Sequence, residues 1–311
     1  MDAAAERPGV ANEASKCPLC GNPGGDKQFD EAGYEVRRCP ACGLFFIHPY
    51  PVDACKQHER VTEYDYVELD VEDVESKYRA EVRVYEGLFD MIEEPTRGAT
   101  SILDVGCGAG HLLERLGRLD RNLHRVGIEL NKERAAMARR KAGCDVYQVP
   151  VEEFVSDETY DVITMINVLS HIPDLDALFK ALRSLLGRKG KLILKVGELA
   201  AEVRRGDLFE WGVPDHLHFL GLPTMDFICR KYGMRKLVHR REPYSHYFFS
   251  RSRWRAPARG WLRKTIKMVV VAVPYLLSLL AWVYDRRHGG RVVSSFVVLA
   301  PSGPGEAGPS A

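Results

Sequence analysis

From residue 99 onward, apolar runs alternate with amphipathic stretches. The spacing predicts strands over 101–105, 125–129, 145–148, 161–166 and 191–196, with helices over 110–119, 131–142 and 174–186. Strands alternating with helices imply an α/β doubly wound architecture, a mainly parallel sheet covered on both faces, with ligands at the carboxyl ends of its strands. Gly187-Arg188-Lys189-Gly190 reads as the turn that stops the last of these helices, and Gly197 as the close of the strand that follows. Upstream, a helical stretch from Val71 to Glu94 is terminated by Pro95 and Gly98. Downstream come a helix from Pro223 to Tyr232 with a turn at Gly233, an apolar run from Met268 to Tyr284, and a last strand over 292–300.

The first of the alternating strands carries the chemistry. Ile102-Leu103-Asp104-Val105-Gly106-Cys107-Gly108-Ala109-Gly110-His111 runs from a buried strand through a glycine-paved turn into a helix, the form of a nucleotide-cofactor loop. A dinucleotide fingerprint would need its third glycine at position 111, which is His111; here the third glycine is Gly110. The next strand ends in Glu129, about twenty residues beyond the glycines, the spacing at which an acid accepts ribose hydroxyls.

Asp104, Gly106, Gly108, Gly110 and Glu129, in this order, resemble motif I and the following acid of the class I S-adenosylmethionine (SAM) methyltransferases. The resemblance implies a Rossmann-like methyltransferase sheet and SAM as cofactor. It implies that Asp104 orients the loop and helps hold the methionyl amino group. Relatives place an acid after the third strand to bond the adenine amino group. In Val149-Pro150-Val151-Glu152-Glu153, Pro150 has no N–H to give, so Glu152 takes that part, with the Val151 amide facing the ring. After the fourth strand the family often has Glu-His, where this chain has Ser170-His171.

At 311 residues and 45% hydrophobic content, the chain can bury one substantial core with a smaller appendage. Basic and acidic residues balance at 44 against 43, which removes any global pull toward nucleic acid and leaves only local patches. The opening MDAAAERPGVANEASK lacks an apolar core, so the expectation is a reducing cytoplasm in which the eight cysteines serve as thiols or metal ligands. Four of them, Cys17, Cys20, Cys39 and Cys42, form two Cys-x-x-Cys knuckles, the spacing of a structural zinc ribbon that closes the coordination sphere with four thiolates.

Beyond the fifth strand, Asp215-His216-Leu217-His218-Phe219 resembles a His-x-His-Phe phrase found in a zinc-ribbon branch of the family that includes the sugar C-methyltransferases. The resemblance implies substrate-facing histidines. Methyl transfer is an in-line displacement helped by positioning and by a base. His216 or His218 is the candidate base, Glu198 a second, and backbone-bonding histidines the competing reading. Tyr64 and Tyr66, in an acidic connector, either lie against the cofactor or sit on the surface.

Arg251, Arg253, Arg255, Arg259, Arg263, Lys264 and Lys267, interleaved with Trp254 and Trp261, lead into the apolar run. That composition suits an anionic membrane surface met by residues 251–284. The run falls short of the ~20 residues of a span and is broken by Pro274. An interfacial or re-entrant insertion is expected, against a helix packed on the catalytic domain, and the last strand must return to the sheet.

The expected organisation is therefore an N-terminal tail to 16, a zinc ribbon over 17–50, a helical connector over 51–98 and a SAM-binding domain over 99–243. A helical C-terminal insertion over 244–290, the last strand over 291–300 and a Gly/Pro/Ser-rich tail from 301 complete it. The expected function is methyl transfer to a small-molecule, sugar or lipid-linked glycan acceptor, by a cytoplasmic protein peripheral to the inner face of the membrane. A zinc-ribbon RNA methyltransferase and a noncatalytic scaffold are the alternatives.

Overall fold

The computed structural model describes residues 16–49, 87–199, 212–243, 261–273, 275–288 and 292–303. Three short antiparallel strands open the chain: β1 (Asp26–Glu31), β2 (Tyr34–Arg38) and β3 (Phe45–His48). Helix α1, described over 87–96, leads to β4 (Ser101–Val105), α2 (His111–Leu119), β5 (His124–Ile128), α3 (Lys132–Ala142), β6 (Asp145–Tyr147), β7 (Tyr160–Ile166), α4 (Leu175–Leu185) and β8 (Leu186–Leu199). Then follow β9 (His218–Gly221), α5 (Thr224–Tyr232), β10 (Met234–Pro243), α6 (Trp261–Ala272), α7 (Leu276–His288) and β11 (Val292–Pro301).

The parallel strands lie in the order β6-β5-β4-β7-β8, and β11 adds antiparallel to β8 with β10 antiparallel beyond it. Because side chains alternate along a strand, each strand feeds two cores. Ile102, Val162, Ile193, Phe296 and Val298 pack on one face with Phe89, Ile92, Leu113, Leu116 and Ala138 of α1, α2 and α3. Leu103, Ile163, Met165, Leu192, Leu194, Val297 and Leu299 pack on the other with Leu178, Phe179 and Leu182 of α4 and Ile228 of α5. The doubly wound expectation is met. Helix starts are fixed locally: the Asn131 side chain accepts from the Glu133 and Arg134 amides at 3.1 and 3.0 Å, and Asp174 accepts from Ala177 at 2.9 Å.

Three local readings change. Gly187–Gly190 lies inside β8: the register runs from Tyr160↔Leu186 directly to Val162↔Lys191, so the glycines form a bulge rather than a free turn. Gly197 does not end the strand. It pairs with Ser294, and the next residues, Glu198 and Leu199, continue against Leu220 and Gly221 of β9. The segment Met234–Pro243, given no strand by its sequence pattern, is the long antiparallel strand β10.

The cysteine segment is continuous with this architecture. β3 pairs with β9 through Phe45↔Phe219 and Phe46↔His218, joining the small sheet to the large one. Cys17, Leu19, Cys39, Cys42, Leu44 and Phe46 are buried in the same core as α4 and α5. The Pro18 carbonyl accepts from the Asp176 amide at 3.2 Å and the Leu19 carbonyl from Lys231 Nζ at 2.6 Å. Gly43 also needs its lack of a side chain, since a Cβ there would come within 2.4 Å of Pro223 at φ +74°.

Candidate functional site

At the carboxyl end of β4 the loop is held by neighbouring strands. The amides of Gly106 and Cys107 both donate to the Ile128 carbonyl, at 2.8 and 3.0 Å. Gly106 has φ +71°, and a Cβ there would lie 2.2 Å from Val168 Cγ2. Gly110 has φ +86° at the start of α2, where a Cβ would meet the Ala138 backbone at 2.9 Å. These glycines therefore serve the close approach of β7's following turn and of α3, besides any cofactor.

Two carboxylates flank the loop. Asp104 is buried and accepts a hydrogen bond from Thr164 Oγ1 at 2.6 Å, its partner in the β4–β7 register. Burial pushes its carboxyl up to about 7; the Thr164 bond opposes the rise and the charge of Glu129 adds to it. Glu129, just past β5, accepts from the Gly108 amide through Oε2 at 2.8 Å and from the Asn131 amide through Oε1 at 2.9 Å. Each carboxylate oxygen retains a lone pair for a ligand hydroxyl. Val151 is buried and Glu152 half-buried in a turn after β6, and burial raises the Glu152 carboxyl. The rings of Tyr147 and Phe154 meet nearby at 5.1 Å.

The histidines divide into two kinds. His218 is fully buried at the start of β9, its Nε2 against the Leu169 carbonyl at 2.7 Å, and desolvation lowers it to about 4. Enclosed and neutral, it stitches β9 to the turn after β7, which is the geometry of the backbone-bonding reading and not of a base facing substrate. His216 is half-buried, with its ring 4.5 Å from that of His171 and 6.1 Å from Phe219. His171 Nδ1 lies 3.0 Å from the Asp215 carbonyl. His216, on the turn before β9, thus meets His171, on the turn that begins at Val168, the residue against Gly106. Glu198 occupies the tip of β8 beside Leu220; its side chain lies outside the described ones. Tyr64, Tyr66 and residues 251–260 lie outside the described residues.

Sequence reasoning missed Thr164, Val168 and Asp215. A hydroxyl in the otherwise apolar strand Val162-Ile163-Thr164-Met165 was the available signal for the first. The other two depend on a long-range contact that spacing does not encode.

The Sγ atoms of Cys17, Cys20, Cys39 and Cys42 lie within 4.8 Å of one another, with the Cys17–Cys42 and Cys20–Cys39 pairs at 3.5 Å. Zn–S bonds of ~2.3 Å place tetrahedral sulfurs about 3.8 Å apart, so the donor set fits that ion.

The methyltransferase-domain family model matches residues 51–239. A ubiquinone biosynthesis O-methyltransferase of Aeromonas salmonicida (strain A449) is 30% identical over 131 residues, 39% of this chain and 54% of that protein. Its counterpart in Actinobacillus pleuropneumoniae serotype 5b (strain L20) is 32% identical over 116 residues, 33% of this chain and 49% of that protein. The chain spans about half the length of the curated relatives it matches. Among solved structures, phosphoethanolamine N-methyltransferase 2 of Haemonchus contortus, bound to phosphomonomethylethanolamine and S-adenosylhomocysteine, superposes with a TM-score of 0.50 at 15% identity. That alignment covers 74% of this chain and 59% of the other, and the likeness is one of fold. With the family match spanning the larger part of the chain, and the glycine loop and strand order in agreement, the chain belongs to the methyltransferase-domain family and has the class I architecture.

Proposed function

We propose that this protein transfers a methyl group from SAM to a small hydroxyl-bearing acceptor of amphipathic or lipid-linked character, at a membrane surface. The observation that carries the reading is the loop constellation. Asp104 is buried beneath it, and Glu129 is tied to the Gly108 amide. In this reading Asp104 faces the methionyl amino group, Glu129 the ribose, and Glu152 with the Val151 amide the adenine. Gly108, where a side chain would point into open space, leaves room for the cofactor's close approach, while Gly106 and Gly110 let the loop pack on Val168 and Ala138. The names of the curated relatives, O-methyltransferases of ubiquinone biosynthesis, support an oxygen nucleophile and a small acceptor. A sugar or glycan hydroxyl satisfies the same chemistry. His216 then acts as base or positioning group, with His171 against its ring, while His218 holds β9.

Zinc at Cys17, Cys20, Cys39 and Cys42 is structural in this reading, a closed thiolate set holding β3 against β9. The proposed organisation keeps the ribbon, the SAM-binding domain and the inserted helices as successive units of one folded body.

The membrane part rests on α6 and α7. Among the described residues no single helix is long and apolar enough to cross a membrane, but 264–272 and 276–284 pass together as a pair bent by 100°. Trp261, Met268, Tyr275 and Trp282 are all exposed, Trp261 by 77% and Tyr275 by 83%. Lys264 and Lys267 on α6, and Arg286 lying 4.7 Å over the Trp282 ring, put cations beside these aromatics. This composition suits shallow insertion among anionic headgroups. It accords with an enzyme working at a membrane face, where acyl chains take up the aliphatic residues Leu262, Ile266, Val269 and Val273 that RNA would leave exposed.

Transfer of labelled methyl from SAM is the test, run with polyphenol, sugar-nucleotide and RNA acceptors, with and without vesicles containing phosphatidylglycerol. Label on a hydroxylated small molecule, increased by the vesicles, is the expected result. Label on RNA alone overturns the acceptor class.

A further inference from the structure

Three potential metal ligands converge where the acceptor would sit. His171, Asp215 and His216 each offer a ligand atom, and these atoms all lie within 4.8 Å of one another. The three residues come from two segments distant in sequence, one following β7 and one preceding β9. The segments are cross-tied: Leu217 N donates to the Ser170 carbonyl at 2.8 Å, His218 Nε2 meets the Leu169 carbonyl at 2.7 Å, and His171 Nδ1 lies 3.0 Å from the Asp215 carbonyl. The Asp215 and His216 amides both donate to the Gly212 carbonyl, at 2.6 and 3.2 Å, closing a tight turn.

We propose that His171, Asp215 and His216 form a second metal site, for a divalent transition-metal cation, at the acceptor end of the sheet. The donor set is two imidazoles and one carboxylate, which suits zinc, manganese, iron, cobalt or nickel ions and leaves coordination positions open. Ligand atoms around one such ion are spaced about 3–4 Å, roughly an ångström inside the 4.8 Å within which these three atoms already lie. His171 Nδ1, which meets the Asp215 backbone carbonyl, also lies 4.0 Å from the Asp215 carboxylate. A backbone carbonyl is a usual partner for the second nitrogen of a metal-bound histidine. Two imidazoles with ring centroids 4.5 Å apart repel as a doubly protonated pair, whereas the charge of one shared cation is offset by the Asp215 carboxylate. Asp215 is 41% exposed at its side chain and His171 11%, so the cluster opens to solvent on one side and is walled on the other.

The use of this site rests on the methyl-transfer reading; its existence does not. A hydroxyl-bearing acceptor coordinated there would lose its proton to water more readily, because the cation stabilises the resulting oxyanion. That oxygen forms the new C–O bond as the C–S bond of SAM breaks, and the C–S electron pair leaves with S-adenosylhomocysteine. His216 then activates the acceptor through the cation instead of taking the proton itself.

The test is optical titration with cobalt(II) chloride of full-length protein brought to one equivalent of zinc, the content of the four-cysteine set alone, by elemental analysis, with SAM affinity measured on the same sample. Expected is a single added equivalent with weak d–d bands and no thiolate-to-cobalt charge-transfer band. His216→Ala and Asp215→Asn, checked for fold by circular dichroism, should each weaken cobalt binding at least about tenfold and leave SAM affinity unchanged. The proposal is overturned if no cobalt binds, if binding shows only the thiolate band of displaced ribbon zinc, or if both variants bind as tightly as the parent. Loss of SAM binding with cobalt binding intact would count against the methyl-transfer reading alone.

Discussion

Gly106 couples the glycine loop to the turn that carries His171, and the coupling has a calculable size. At Gly106→Ala two costs arise. The backbone sits at φ +71°, where an L-residue loses about 1–2 kcal/mol. The new Cβ also falls 2.2 Å from Val168 Cγ2 and 3.2 Å from Cγ1, an overlap of the kind that costs about 1–3 kcal/mol when the neighbour must move. Only the second cost depends on Val168. Val168→Ala removes both γ-methyls, so the double variant should be less destabilised than the sum of the singles by about 1–3 kcal/mol, while the dihedral cost remains. Urea unfolding of the four zinc-replete proteins measures this, and calorimetric SAM titration of the same set reports the loop. SAM affinity should fall at least tenfold in Gly106→Ala and recover in part in the double variant. Additivity within about 0.5 kcal/mol would refute the reasoning, because it would mean that the loop and the Val168 turn do not press on one another.

Other outcomes follow from the same geometry. Asp104, raised to about 7 by burial, titrates near 4 when unfolded, so the cofactor-free protein binds the extra proton between those values. Its stability should fall as pH rises from about 4 to about 7 and level off above, while SAM affinity should rise as the carboxylate forms. Asp104→Asn should flatten this slope, stabilise the cofactor-free protein at pH 8 by no more than about 4 kcal/mol, and weaken SAM binding; pH-dependent denaturation and calorimetry check both. Cys39→Ser should lower bound zinc, measured by elemental analysis, and abolish methyl transfer with SAM affinity kept within a few fold. Strand β3 supports β9, whereas the glycine loop is held by β4, β5 and α3. Trp261→Ser with Trp282→Ser should reduce co-sedimentation with phosphatidylglycerol vesicles and leave SAM affinity unchanged; undiminished vesicle binding would remove α6 and α7 from the account.

What was legible in the sequence was whatever local physics specifies. The apolar runs of Ile102–Val105 and Val162–Ile166 mark buried strands, and the glycines at 106, 108 and 110 mark a backbone that a side chain would obstruct. Asn131 and Asp174 announce their helices. What was hidden depends on distant partners. β10 carries Arg235, Lys236, His239, Arg240, Arg241 and Glu242, a polar and charged composition that fits a strand which, among the described residues, pairs with β11 alone and lacks the apolar pattern of an interior one. Gly197 looked like a terminator because glycine ends many elements; in the fold it sits where β8 passes from β11 to β9. The ribbon's cysteine spacing was plain, but its placement in the core of α4 and α5 was not, since that requires Leu19, Leu44 and Phe46 to find Phe179 and Ile228 across the chain. The histidines show the same limit. His216 and His218 look equivalent in sequence, and only the fold separates a half-buried ring beside His171 from one bonded inside the core.

The central claim, that this loop binds SAM, is tested most directly by calorimetric titration of the zinc-replete protein with SAM, repeated on Glu129→Ala. The account predicts one saturable site in the parent and at least a tenfold loss in the variant, whose carboxylate no longer ties Gly108 or meets the ribose. A folded parent that takes up no SAM, or a variant that binds as tightly as the parent, would contradict it.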